Sequence, residues 1–161
     1  MNKNKSLPNA LKISIVSVLL GSFALSAQAQ TIAAGTVLNG ALAQTLNVST
    51  SDKGTSAALI HITGKSVTPN GSVFSLSNCD VYGKAVADQQ SERISIMPVV
   101  LACKDSKGVT RTTAVTGTVA DQKGTEGLAA QFLTLPTQEI ATVNAGTPLS
   151  VIFTNSFRLN Q

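Results

Sequence analysis

Short runs of alternating apolar and polar residues fill most of this chain, and Gly, Asn, Asp and Pro interrupt them at close intervals. In Ala57–Thr63 the two isoleucines Ile60 and Ile62 flank His61. A strand there turns both isoleucines to the interior and His61 to the other face. The same reasoning predicts a first strand over Thr36–Val48 with a bulge or kink at Gly40. A polar loop over residues 49–56 follows. Next comes a hairpin in which Pro69-Asn70-Gly71 joins Lys65–Thr68 to Val73–Leu76. Cys79–Lys84 is predicted as a strand, and Asp88-Gln89-Gln90-Ser91 as a loop.

Arg93–Met97 and Val99–Lys104 form one long predicted strand interrupted by Pro98. Proline donates no ladder hydrogen bond, so an edge position or a bulge is expected there. Asp105-Ser106-Lys107-Gly108 is a hairpin turn that returns as an alternating strand over Val109–Val119. A second turn follows at Asp121-Gln122-Lys123-Gly124. Leu128–Leu133 fits either a short strand or a short helix. Ile140–Val143, a turn at Asn144-Ala145-Gly146 and Leu149–Thr154 complete the pattern. β-branched residues between turn formers, without a sustained helical period, predict an all-β domain: a small antiparallel β-barrel or sandwich. Ala34-Gly35-Thr36-Val37-Leu38 echoes Ala145-Gly146-Thr147-Pro148-Leu149, which reads as two strands entered through the same kind of turn.

The N-terminal segment follows a different rule. Lys3, Lys5 and Lys12 precede the apolar stretch Ile13–Leu25, and Ala27-Gln28-Ala29 supplies a small-x-small cleavage signal. Residues 1–29 therefore read as a secretory signal peptide and residues 30–161 as one exported domain. The apolar run falls short of the ~20 residues a membrane helix needs. Of 12 basic and 8 acidic residues, the segment removed holds three lysines and no acid, so the mature chain carries 9 against 8. That near-neutral balance leaves no basic stripe for nucleic acid, and no transmembrane segment is read in the mature chain.

The chain contains two cysteines. In an exported protein that count predicts a Cys79–Cys103 disulfide. Closing a loop of ~25 residues stabilises by about 3 kcal/mol in the chain-entropy picture. His61 is the sole histidine, and no G-x-S-x-G elbow, phosphate loop, dinucleotide fingerprint or EF-hand loop is present. The carboxylates Asp80, Asp88, Glu92, Asp105, Asp121, Glu126 and Glu139 fall mostly in or beside predicted turns. No catalytic, cofactor or metal site is read, and the expectation is a protein that is not an enzyme. Glu92 and Arg93 are adjacent on a strand and point to opposite faces. One reading turns one of them inward to a buried ion pair and the other toward a neighbouring subunit. The plainer reading leaves both solvated at a loop-to-strand junction.

The block from Cys79 to Cys103, with Gly83, a polar stretch and Ser91-Glu92-Arg93 before the second cysteine, resembles the TraB/TrbI family. These are conjugation and type IV secretion scaffold proteins homologous to the tenth VirB component. The Lys107-Gly108 turn, the segment Thr116–Gly124, the Ala33-Ala34-Gly35-Thr36 opening and Ala145–Thr154 extend the resemblance over about residues 32–155. It implies a barrel domain in a periplasmic outer-membrane core complex, with Ser91, Glu92 and Arg93 as a family motif and subunit contact. Family members also carry an inner-membrane helix and an inserted helical hairpin that forms the outer-membrane pore. Here a signal replaces the first. The second falls between Leu128 and Glu139, in about ten residues including Pro136, which cannot hold two membrane helices.

The expected function is therefore a scaffold subunit whose partners are other secretion-core subunits or copies of itself in a ring. Two rival expectations are a free periplasmic binding module that regulates or blocks such a complex, and a fimbrial or adhesin-type subunit.

Overall fold

A computed structural model describes residues 30–50 and 55–159. The signal-peptide reading of residues 1–29 and the centre of the predicted 49–56 loop lie outside the described residues. Every regular element described is a strand. In chain order these are β1 (Gln30–Ile32), β2 (Val37–Leu42), β3 (Leu46–Ser49), β4 (Ser56–Ile62), β5 (Lys65–Val67), β6 (Val73–Ser75), β7 (Cys79–Asp88) and β8 (Arg93–Lys104). They continue with β9 (Thr110–Ala114), β10 (Gly117–Ala120), β11 (Leu128–Ala129), β12 (Gln131–Thr134), β13 (Glu139–Val143), β14 (Pro148–Phe153) and β15 (Phe157–Leu159).

The main sheet runs β10-β14-β2-β4-β7-β8, and its strand pairs are antiparallel. β9 and β11 share the far side of β8, and the β5–β6 hairpin hangs from β2. The long β7–β8 hairpin is the spine of the sheet, with Cys79 opposite Cys103 at one end and Asp88 opposite Arg93 at the other. Alternation along β7 buries Val81 and Ala85 and exposes Tyr82 and Lys84, as period-two geometry requires. The sheet curls until β8 lies against β10, giving a barrel-like wall. Phe153, Leu38, Ile60, Ile62, Val81, Leu101 and Val119 fill its interior. A three-stranded sheet β12-β13-β3 and a β1–β15 ribbon cover the remaining openings. The fold is all-β and antiparallel with one disulfide, as the pattern predicts.

A local two-fold relation underlies the sequence echo. Gly35 and Gly146, at φ 81° and 79°, turn the chain into β2 and β14, which pair with each other. Gly35 N–H donates to the Phe153 carbonyl at 2.7 Å, and Gly146 N–H to the Leu42 carbonyl at 2.8 Å. Phe153 N–H to the Thr36 carbonyl matches Leu42 N–H to the Thr147 carbonyl. The relation pivots on the Asn39–Ser150 pair, whose side chains meet at 3.2 Å. Shared turn chemistry is thus accompanied by shared register.

Several boundaries differ from expectation. The strand predicted over Thr36–Val48 is two strands in different sheets, β2 and β3, broken by a bend at Ala43–Gln44. Gly40 makes no bulge. It sits in register between Ile62 and Leu149, where a Cβ would lie 2.6 Å from the His61 carbonyl oxygen. Close approach of a neighbouring backbone explains the glycine. The strand predicted over Val109–Val119 also divides: β9 pairs with β8 and β10 with β14. Cys79–Lys84 runs on to Asp88, and Leu128–Leu133 resolves into β11 and β12. The expectation for Pro98 holds. It faces Gly83 where Val99 is the extra residue of a bulge, and β8 has no ladder partner on its far side between Ile94 and Val100 among the described residues.

Candidate interaction surface and the seam behind it

Ser91, Glu92 and Arg93 lie at the β7–β8 turn. The Asp88–Arg93 pair closes a loop of four residues, Gln89 to Glu92. The Asp88 carboxylate accepts from Gln90 N–H at 3.0 Å and from Ser91 Oγ at 2.6 Å. These bonds, that of Ser91 foremost, hold its carboxyl below the usual aspartate range. Glu92 takes a left-handed backbone at φ 53°, which a non-glycine residue adopts at a cost. Its side chain is exposed, with no hydrogen bond or ion pair among the described residues.

Arg93 does the opposite and turns into the protein. Its Nη2 donates to Asp121 Oδ2 at 2.6 Å, to the Gly127 carbonyl at 2.7 Å and to the Thr125 carbonyl at 3.2 Å. Nε donates to the Glu126 carbonyl at 2.8 Å. Gly127 N–H in turn bonds the Val119 carbonyl at 2.8 Å, and Gly127 bridges Ala120 in parallel. Residues 125–129 thereby wedge between β8 and β10, and one guanidinium fixes the wedge to both. The Asp121 carboxyl sits below its usual range, chiefly through the Arg93 hydrogen bond and then through Thr125 N–H. Of the three motif residues, Arg93 is engaged within the chain, Ser91 is tied to Asp88, and Glu92 alone faces outward unpartnered.

The outer face of β4-β7-β8 carries a surface that the sequence reading did not single out. Leu59, Tyr82, Val100 and Ala114 stand side by side across β4, β7, β8 and β9. Met97 lies opposite Lys84 in the next row, and the bulge turns Val99 outward beside Val100. Tyr82, Met97 and Val99 are 48%, 50% and 40% exposed, which is high for side chains of this size. Along β7 the outward residues run Asp80, Tyr82, Lys84: an anion, the apolar centre and a cation. Asp80 Oδ1 contacts Nδ1 of His61, its cross-strand partner, at 2.7 Å. The signal in the sequence was Tyr82 alternating with buried Val81 and Gly83, but Val99 becomes visible only once the bulge is known.

The disulfide forms as expected between directly opposed residues, with Cα atoms 4.1 Å apart. Cys79 is buried and Cys103 half-buried. Both line an open cleft of about 320 Å³, with Ser75, Asn78, Lys104 and Arg111 also on its walls. Arg111 is the cross-strand partner of Cys103 on the side away from Cys79.

No hydroxyl or thiol hydrogen-bonds His61 among the described residues, where its partner is Asp80 on an exposed face. Asp88, Asp105 and Asp121 all act in turns. Asp105 accepts from Lys107 and Val109 N–H just as Asp121 does from Lys123 and Thr125. Among the described residues no three His, Cys, Asp or Glu side chains gather as metal ligands, and no helix is long and apolar enough to cross a membrane. No family model and no curated protein matches the chain.

Proposed function

We propose that the protein is an exported structural subunit that acts through contacts between β-barrels, in the periplasmic core complex of a conjugative or type IV secretion machine. The resemblance of the Cys79–Cys103 block to TraB/TrbI proteins supplies the machine. The apolar outer face around Tyr82, Met97 and Val99 carries the assembly reading, because large side chains clustered on an exposed sheet face favour burial against a partner. The partner at this face is a second copy of the chain. A two-fold contact centred on Tyr82, with the two copies of β7 antiparallel, sets Lys84 of one copy against Asp80 of the other. In that orientation the face complements itself in charge as well as in apolar character. Glu92, exposed at the β7–β8 turn, remains available as a rim contact.

The test of the machine is co-purification. The chain isolated from periplasm and membrane should bring other secretion-core subunits with it, and its deletion should lower transfer. Recovery without those subunits, together with unchanged transfer on deletion, would sink the secretion reading.

A further inference from the structure

We infer that the Cys79–Cys103 disulfide is a site of reversible thiol–disulfide exchange, entered through the cleft at its end of the β7–β8 hairpin and serving a dithiol reductant. Three observations carry this. Both half-cystines border an open cleft of about 320 Å³, Cys79 from the edge of the core. The two half-cystines are unequal in exposure, Cys103 being half-buried while Cys79 is 2% exposed. The cleft wall also holds two cations and one anion: Lys104 follows Cys103 in the chain, and Arg111 faces Cys103 across the β8–β9 ladder. Arg111 Nε contacts Asp105 Oδ2 at 3.4 Å, which leaves the wall with one net positive charge.

The chemistry follows from that arrangement. The attacking species in exchange is a thiolate, and neighbouring cations favour it. A thiolate of the reductant, entering past the net positive wall of Lys104, Arg111 and Asp105, forms a bond to Cys103 Sγ. The Cys79–Cys103 bond breaks, its electron pair leaves on Cys79 Sγ, and that sulfur takes a proton from solvent. The second thiol of the reductant, losing its proton, then attacks the mixed disulfide. Cys103 departs as a thiolate beside Arg111 and is protonated in turn, while the reductant leaves as its own disulfide. Two electrons pass from the dithiol to the protein.

The fold is built to survive the change. Cys79 and Cys103 form one of ten cross-strand pairs of the hairpin, and β7 and β8 are also held by β4 and β9. Asn78 accepts from Lys104 N–H at 3.0 Å immediately beyond the bridge, closing the ladder without it. Reduction therefore releases two thiols into a sheet that stays paired.

The experiment is native-state exchange on the intact protein. Glutathione, a monothiol, is added without denaturant, free thiols are alkylated, and the adduct is located by mass spectrometry. Dithiothreitol is used in parallel to measure the rate of full reduction, with circular dichroism recording the sheet. The expected results are a glutathione adduct on Cys103, a retained β spectrum after full reduction, and a rate independent of low urea. Arg111→Gln should slow reduction by about fivefold, and Lys104→Gln, on an exposed side chain, provides a second variant should the first misfold. An adduct on Cys79, or reduction only at the rate of global unfolding, would overturn the inference.

Discussion

Arg93 of β8 and Asp121, the first residue of the turn after β10, meet at 2.6 Å across the seam where the curled sheet comes together. Their side chains are only 20% and 24% exposed, and the same guanidinium also binds the carbonyls of Thr125, Glu126 and Gly127. Removing it leaves three carbonyls without their charged donor. Arg93→Ala should lower stability by about 2 kcal/mol, a figure set by those carbonyl bonds and not by the ion pair, which solvent screens. Arg93→Lys should recover less than half of the loss, because an ammonium lacks the planar fork that reaches several acceptors at once. Urea unfolding midpoints measure both. A loss under about 0.5 kcal/mol for Arg93→Ala would show that the wedge holds without its clamp.

Acid should weaken the fold through the turns. Asp88, Asp105 and Asp121 all have carboxyls held below the ordinary 3.8: by Ser91, by Val109 N–H and by Arg93 in turn. A lowered folded-state pKa means that the unfolded chain binds protons more readily than the folded one. The stabilisation is then complete above the ordinary value and is lost as pH falls through the lowered ones. Melting temperature should hold level from neutrality to about pH 4.5 and drop below it. Asp121→Asn should flatten that drop while lowering stability near neutrality. An acid limb as steep as that of the unmodified chain would remove Asp121 from the account.

How much of this was legible in the chain depends on the range of the interaction. The turns at Pro69-Asn70-Gly71, Asp105–Gly108 and Asp121–Gly124 were readable because each is set by residues within it, down to the glycines at φ 81°, 78° and 81°. Ile60 and Ile62 were readable as inward because strand period alone decides it. For the Arg93–Asp121 contact the sequence shows only that Glu92 and Arg93 point to opposite faces. It does not say which of them turns inward or whether both stay solvated. The partner of Arg93 is 28 residues away and depends on closure of the sheet. β1 and β15 pair the two ends of the described chain through three residues each, too short for any pattern to announce them. The outer apolar face was hidden because the bulge at Val99 shifts the alternation of β8 by one residue.

Glu92 offers a stability test that reads against function. Its left-handed backbone disfavours a side chain by about 1 kcal/mol, so Glu92→Gly should stabilise the isolated protein by a similar amount. If Glu92 is a rim contact, the same substitution should weaken assembly. A variant that is stabilised and assembles as before would leave Glu92 without a role in contact.

Gly117 should tolerate nothing larger. A Cβ there would lie 2.3 Å from the Ile152 carbonyl oxygen and 3.2 Å from the Phe153 Cα, both backbone atoms with little room to move. Gly117→Ala should cost about 2–3 kcal/mol. Gly124, with no atom within 4 Å of an added Cβ, should lose only the strain of its positive φ, about 1 kcal/mol on Gly124→Ala. Thermal melts of the two variants compare them, and equal losses would contradict the close β10–β14 approach.

In the assembly proposed, the outer face of β4-β7-β8 joins one barrel to another. Light scattering on the purified protein across a concentration series is the direct test. The expected mass is a multiple of the single chain, falling to one chain in Met97→Asp while the circular dichroism spectrum stays unchanged. A single-chain mass at every concentration, or an assembly that Met97→Asp leaves intact, would contradict it.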